Sequence, residues 1–169
     1  NTDLRGWEWR YLWQQCQSDA RFTLCQLSNE VAALSVSHDG KWVAVGEYGD
    51  RGISIWDLLA RQEIVRFQPG EGSETFAFSP VAPLLAFYAK DGPERPESTN
   101  RRSHVRLWDV VTRRIVGELP VNGFCRAIAF SADGTRLLTA SGDNEFTVWS
   151  VAECAKLKSV AFPGPKGFG

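Results

Sequence analysis

Ile53-Ser54-Ile55-Trp56-Asp57, Val105-Arg106-Leu107-Trp108-Asp109 and Phe146-Thr147-Val148-Trp149-Ser150 are three copies of one phrase. In each, the residues one and three before the Trp are apolar and the residue two before it is polar. That is the period-two alternation of a half-buried strand, with a Trp set where the polar face should fall. A phrase that returns three times makes the chain a tandem repeat, and the repeat decides the architecture before any single motif is weighed.

Upstream of each phrase lies a Val/Phe-Ser turn: Val36-Ser37-His38-Asp39-Gly40, Phe78-Ser79-Pro80-Val81-Ala82 and Phe130-Ser131-Ala132-Asp133-Gly134. Asp39-Gly40 and Asp133-Gly134 sit between apolar runs and signal hairpins. From the turn Ser to the following Trp the distance is 19 residues in the first copy, 29 in the second and 18 in the third. The second copy therefore carries about ten extra residues, found in the polar, proline-bearing stretch 91–102. Without them the period is 41 to 42 residues.

Short, turn-bounded runs of Val, Ile, Phe, Thr and Leu then read as strands. An isolated strand is expected near 22–27. Three sets of four follow: near 31–37, 42–48, 52–57 and 63–68; near 73–79, 84–89, 104–109 and 114–119; and near 124–131, 136–141, 145–150 and 155–162.

These residues resemble the WD-repeat β-propeller family, whose blades are four-stranded, about 40 residues long and marked by Trp-Asp at the end of the third strand. The resemblance covers roughly residues 21–162. It implies an all-β fold: a partial β-propeller of about three four-stranded antiparallel blades, with repeats near 28–68, 69–119 and 120–162. An N-terminal helical lead-in (1–20) and one orphan strand complete the expectation. It makes Trp56, Asp57, Trp108, Asp109, Trp149, Asp50 and Asp143 the residues of the structural repeat; the last two each stand six positions before their Trp. The family's Gly-His pair is missing near Leu27, Pro69 and Val121. Its strand-two hydroxyl aligns with Val45, Phe87 and Thr139, so only the third copy keeps one. Apolar packing between sheets, in place of buried polar links, is therefore expected to hold the blades.

A blade of this size cannot bury enough surface to fold alone, and stacking hides both faces of each sheet. A closed propeller needs about four to eight blades. The tail from Phe162 to Gly169 echoes Leu119 to Cys125, the lead into the third copy, so a fourth copy is expected to begin there. The remaining blades are expected from a longer parent chain or from another copy.

Residues 3–16 lack turn residues after Gly6 and read as a short helix capped by Asp3. Leu4, Trp7 and Tyr11 form one stripe and Trp9, Trp13 and Cys16 another, a pattern that demands burial on several sides. The string Leu4 to Trp13 resembles the segment leading into WD repeats of large bacterial proteins, many of them serine/threonine kinases with a C-terminal propeller.

Function classes narrow quickly. Nineteen basic residues against twenty acidic ones give a net charge of −1, which argues against a nucleic-acid groove. No apolar run reaches membrane-spanning length. The four cysteines (Cys16, Cys25, Cys125, Cys154) have no zinc-site spacing; Cys25, Cys125 and Cys154 lie in or beside strands and read as free buried thiols, with a disulfide left open. Gly70-Glu71-Gly72-Ser73 lacks the Lys of a phosphate loop. No catalytic, cofactor-binding or metal-binding residues are assigned, and no cofactor is expected. Specificity is expected instead from the 91–102 insertion, where Arg95, Arg101, Arg102 and His104 place positive charge beside Pro93 and Pro96. The reading is a non-catalytic protein–protein interaction scaffold with protein or peptide partners. The alternative is a regulatory or substrate-recruiting region of a bacterial serine/threonine kinase. A cytoplasmic setting is expected ahead of an extracytoplasmic one.

Overall fold

The structure is a computed structural model that describes residues 6, 23–27, 29–49, 52–67, 75–90, 102–141 and 145–161. The proposed N-terminal helix, Asp50, Asp143, Arg95 and Arg101 lie outside these residues.

The first sheet is a meander of β1 (Val31–Val36), β2 (Trp42–Glu47), β3 (Ile53–Asp57) and β4 (Gln62–Arg66). The second contains β5 (Phe76–Phe78), β6 (Leu84–Lys90), β7 (Arg102–Asp109) and β8 (Arg114–Asn122). The third contains β9 (Cys125–Phe130), β10 (Arg136–Ser141), β11 (Glu145–Ser150) and β12 (Ala155–Ala161). All pairings are antiparallel. The ends differ from the strands read off the sequence by no more than three residues. Opening strand β5 neighbours both β1 and β9, so the sheets stand side by side as blades of a partial β-propeller.

The repeat is more regular than its sequence. At each Trp the ladder to the fourth strand shifts register: between Ile55 and Trp56, between Leu107 and Trp108, and between Val148 and Trp149. One residue of the fourth strand (Ile64, Val116 or Leu157) is skipped each time, which bends and twists the outer edge at the same point in all three blades. The turn that follows is also shared. Its last residue takes a positive φ in every copy: 55° at Arg61, 57° at Arg113 and 50° at Cys154. None of these is Gly, so each turn holds a residue in a region that disfavours side chains.

The second blade is buried on both faces. Leu85, Phe87, Ala89 and Trp108 join Ala44, Ile53 and Ile55 of the first blade in one core. Ala86, Tyr88, Val105, Leu107 and Leu119 join Cys125, Leu137 and Trp149 of the third in another. Successive β6 side chains thus serve opposite interfaces, which explains an unbroken apolar run where a one-sided strand would alternate. Each large side chain buried this way contributes about 1.5–3 kcal/mol.

One expectation needs correction. Residues 23–27 form no strand; Leu24, Cys25 and Leu27 instead lie over the face of the first blade that carries Leu34, Val43 and Val45. A segment laid on a sheet face offers its backbone to no edge, so no ladder forms. Apolar packing joins the blades, as expected, and a polar link adds to it. Ser35 Oγ accepts the Phe78 N–H from the next blade at 3.0 Å. Within single blades, the indole N–H of Trp149 donates to Thr139 Oγ1 and that of Trp56 to Ser54 Oγ, both at 2.9 Å. Ser54 replaces the hydroxyl missing at Val45, because alternation puts residues two apart on one face.

Candidate interaction surface

A four-stranded meander sends two kinds of turn to opposite ends of its blade. One end carries the turns between first and second strands and between third and fourth strands. Both kinds are tied down by side chains. Asp39 Oδ1 accepts from Ser37 Oγ at 2.8 Å and from the Lys41 N–H at 3.1 Å, and Ser37 Oγ accepts the Trp42 N–H. Asp133 repeats this with Ser131 and Thr135. Desolvation raises the Asp39 carboxyl, but the Ser37 and Lys41 hydrogen bonds outweigh it and hold the group at about 2. The Ser131 and Thr135 bonds hold Asp133 at about 2 as well.

Asp57 and Asp109 sit at this end. Asp57 Oδ1 accepts the N–H groups of Leu59 and Ala60 at 2.9 and 2.7 Å, and Asp109 Oδ1 those of Val111 and Thr112 at 2.8 Å each. Ser150 does this more weakly, its Oγ taking the Glu153 N–H at 3.4 Å. These carboxylates close turns and do not converge on a common point.

The other end carries the β2–β3, β6–β7 and β10–β11 connections together with the links between blades. Here the sequence reading passed over two aromatic residues. Tyr48, at the end of β2, is 64% exposed, and Phe124, between β8 and β9, is 44% exposed. Phe124 is held firmly: its ring meets that of Tyr88 edge-on at 5.3 Å and 70°. Tyr88 Oη bonds Ser103 Oγ at 3.0 Å and donates to the Gly123 carbonyl at 3.4 Å. One buried tyrosine thus joins the blade link to the strand into which the 91–102 insertion feeds. The clue was Asn122-Gly123-Phe124, an apolar ring after a turn glycine, where φ is 68° at Gly123.

Of the insertion's charged residues, Arg102 opens β7. His104 lies within that strand, half-buried and opposite Ala89 and Pro120, so it belongs to the sheet and not to the excursion. Trp108 and Trp149 are buried between blades, and Trp56 is half-buried on the outer face of the first.

Among the described residues no group of three His, Cys, Asp or Glu side chains could hold a metal. Cys25, Cys125 and Cys154 are free thiols. Burial pushes the Cys125 thiol up to about 11, which keeps it protonated and unreactive at neutral pH. No helix among the described residues is long and apolar enough to cross a membrane.

These features define a repeat protein of stacked four-stranded blades. Residues 21–57 and 113–150 match the family described as WD domain, G-beta repeat. Each matched segment ends at the Trp pair of its blade, Asp57 or Ser150. The Trp108 copy, whose spacing the insertion breaks, falls outside them.

Similar proteins include a periodic tryptophan protein 2 homolog of Schizosaccharomyces pombe, 27% identical over 73% of this chain and 14% of its own length. Nuclear distribution protein nudF 2 of Penicillium rubens is 28% identical over 79% of this chain and 32% of its own. Small ribosomal subunit protein RACK1y of Oryza sativa is 25% identical over 83% of this chain and 40% of its own. The chain thus spans well under half the length of these relatives. They come from fungi and a plant, and none is named as a kinase, so the expected link to a bacterial kinase gains no support from them.

Proposed function

We propose that the chain is a non-catalytic WD-repeat scaffold that engages protein or peptide partners at the end carrying Tyr48 and Phe124, with the 91–102 insertion as a contact loop. The observation that carries this is the fixed, exposed Phe124 ring. An apolar aromatic held in place by buried contacts loses little entropy on binding, the property of an interface anchor. Tyr48 adds a second ring at the same end, and Arg95, Arg101 and Arg102 supply charge suited to an acidic or phosphorylated surface. The family match and the WD-repeat relatives support a scaffold over an enzyme.

The test is the double substitution Phe124→Ala with Tyr48→Ala in the full-length protein, followed by recovery of its co-purifying partners. Partner recovery should fall at least tenfold while the melting temperature changes little. Undiminished recovery contradicts the reading. The regulatory-region alternative rests on the 4–13 string, and reading the coding sequence upstream of Asn1 for an ATP-binding domain decides it.

A further inference from the structure

The two blade interfaces are built on the same register but filled differently. Between the first and second blades, Phe87 meets Phe67 with ring centroids 4.5 Å apart, and Phe67 meets Trp108 at 5.3 Å. Between the second and third, the position of Phe87 (two residues along from the partner of the Trp, opposite Arg106) is taken by Thr139, opposite Thr147. The position of Phe67, just after the residue paired with Ser54, is taken by Leu119. Two phenyl rings are absent, and a cleft of about 340 Å³ stands in their place. One wall is Val121 and Asn122 of β8; the other carries Thr139, Thr147, Trp149 and Lys156.

The hydrogen bonds in this cleft run in one direction. Glu145 accepts from Lys156 Nζ at 2.9 Å and from the Ser159 hydroxyl. The bonds from Ser159 and Lys156 also lower its pKa, so it stands as a carboxylate at neutral pH. Ser159 has spent its only proton, so in its 3.3 Å contact with Thr147 the threonine must donate. Thr147 Oγ1 is left with lone pairs. Thr139 Oγ1 accepts the Trp149 indole N–H, which leaves the Thr139 proton to be given elsewhere. Thr139 and Thr147 are 3% and 6% exposed and sit directly across the β10–β11 ladder, with Cβ atoms about 5 Å apart. The buried back wall therefore offers one donor and one acceptor side by side.

A carboxamide presents the complementary pair, a carbonyl oxygen and an N–H. We propose that this cleft binds the side-chain amide of a glutamine or asparagine presented by a partner peptide. Thr139 donates to the amide oxygen, Thr147 accepts from the amide nitrogen, and the Trp149 ring and Val121 pack on the methylenes. The volume lies at the lower end of ligand clefts, about 300–1,000 Å³, and suits one side chain better than a long segment. A carboxylate in the same place has no proton for Thr147 and meets the charge of Glu145. An aliphatic side chain leaves both threonines unpaired, and buried groups built to hydrogen-bond reject such isosteres. The cleft reaches the end that carries Phe124, since Asn122, Ser141 and Glu145 line it, but it is read out at Trp149 and Thr147 and not at Phe124 or Tyr48, so either proposal can fail alone.

The experiment follows the indole N–H resonance of Trp149 in the ¹⁵N-labelled full chain, assigned by its loss in Trp149→Phe. The probes are N-acetyl-glutamine methylamide and its norleucine and glutamate counterparts, which share the backbone amides. The glutamine probe should give a saturable shift and the other two at least tenfold weaker binding. Thr147→Val, which leaves the Trp149–Thr139 bond in place, should weaken the glutamine probe about tenfold with the resonance otherwise unmoved. Thr139→Ser, which keeps the donor, should bind as the parent does. No saturable shift, equal response to the norleucine probe, or an unaffected Thr147→Val overturns the proposal.

Discussion

Trp149 gives its indole N–H to Thr139 at 2.9 Å in the only blade that keeps a strand-two hydroxyl, while Trp56 gives the same proton to Ser54 on its own strand. Both bonds solve one problem, the cost of burying an indole N–H unpaired, but not at the same depth. Trp149 is 4% exposed, whereas Trp56 is half-buried and within reach of water. Thr139→Val should therefore cost about 1–3 kcal/mol, the penalty of a stranded buried donor. Ser54→Ala should cost less than about 1 kcal/mol. Urea unfolding of the two variants, compared at equal slope, checks the order.

Gly134 and Gly40 occupy equivalent turns with φ of 68° and 69°. Space around Gly40 is open, but a Cβ on Gly134 would stand 2.3 Å from Val81 Cγ2 of the neighbouring blade. Gly40→Ala should cost only the left-handed backbone, about 1–2 kcal/mol. Gly134→Ala should cost clearly more, because the blade contact must also shift. Restoration of stability by Gly134→Ala with Val81→Ala, measured as a double-mutant cycle, identifies the contact as the source.

Phe87 is fully buried where the first two blades meet. Phe87→Ala should cost about 3–5 kcal/mol. Amide exchange should show protection falling in the first two sheets before the third if the blades open as separable units. Uniform loss across all three would mean that the sheets unfold as one.

Asp39 and Asp133 are both held at about 2, below the ordinary carboxylate value of about 3.9. A depressed folded-state pKa adds stability that is present above the unfolded value and lost as pH falls through the folded one. Stability should thus decline between about pH 4 and pH 2. The Asp39→Asn, Asp133→Asn double variant should be less stable at neutral pH and show a shallower acid decline. An unchanged acid limb in thermal melts counts against these turn bonds.

Most of the fold was legible because one residue pattern recurs. Phrase spacing located the strands, and spacing alone exposed the insertion. What stayed hidden depends on where the chain lies in space. The register shift beside each Trp leaves no mark in sequence, since the skipped residues Ile64, Val116 and Leu157 read as ordinary strand positions. Segment 23–27 has strand composition, yet it lies on a face where no edge is offered. Phe124 became a candidate anchor only when Tyr88, 36 positions earlier in the chain, was seen beside it. The donor–acceptor pair at Thr139 and Thr147 needs the direction of each proton, which only assembled neighbours determine.

Partners are expected to meet the end bearing Tyr48 and Phe124. Benzoylphenylalanine placed at Tyr48 or Phe124 of the full-length protein, with His38 and Ala132 at the opposite end as comparisons, tests it directly after irradiation in cells. Protein adducts are expected from positions 48 and 124, with few from 38 and 132. Adducts mainly from 38 and 132 would contradict it.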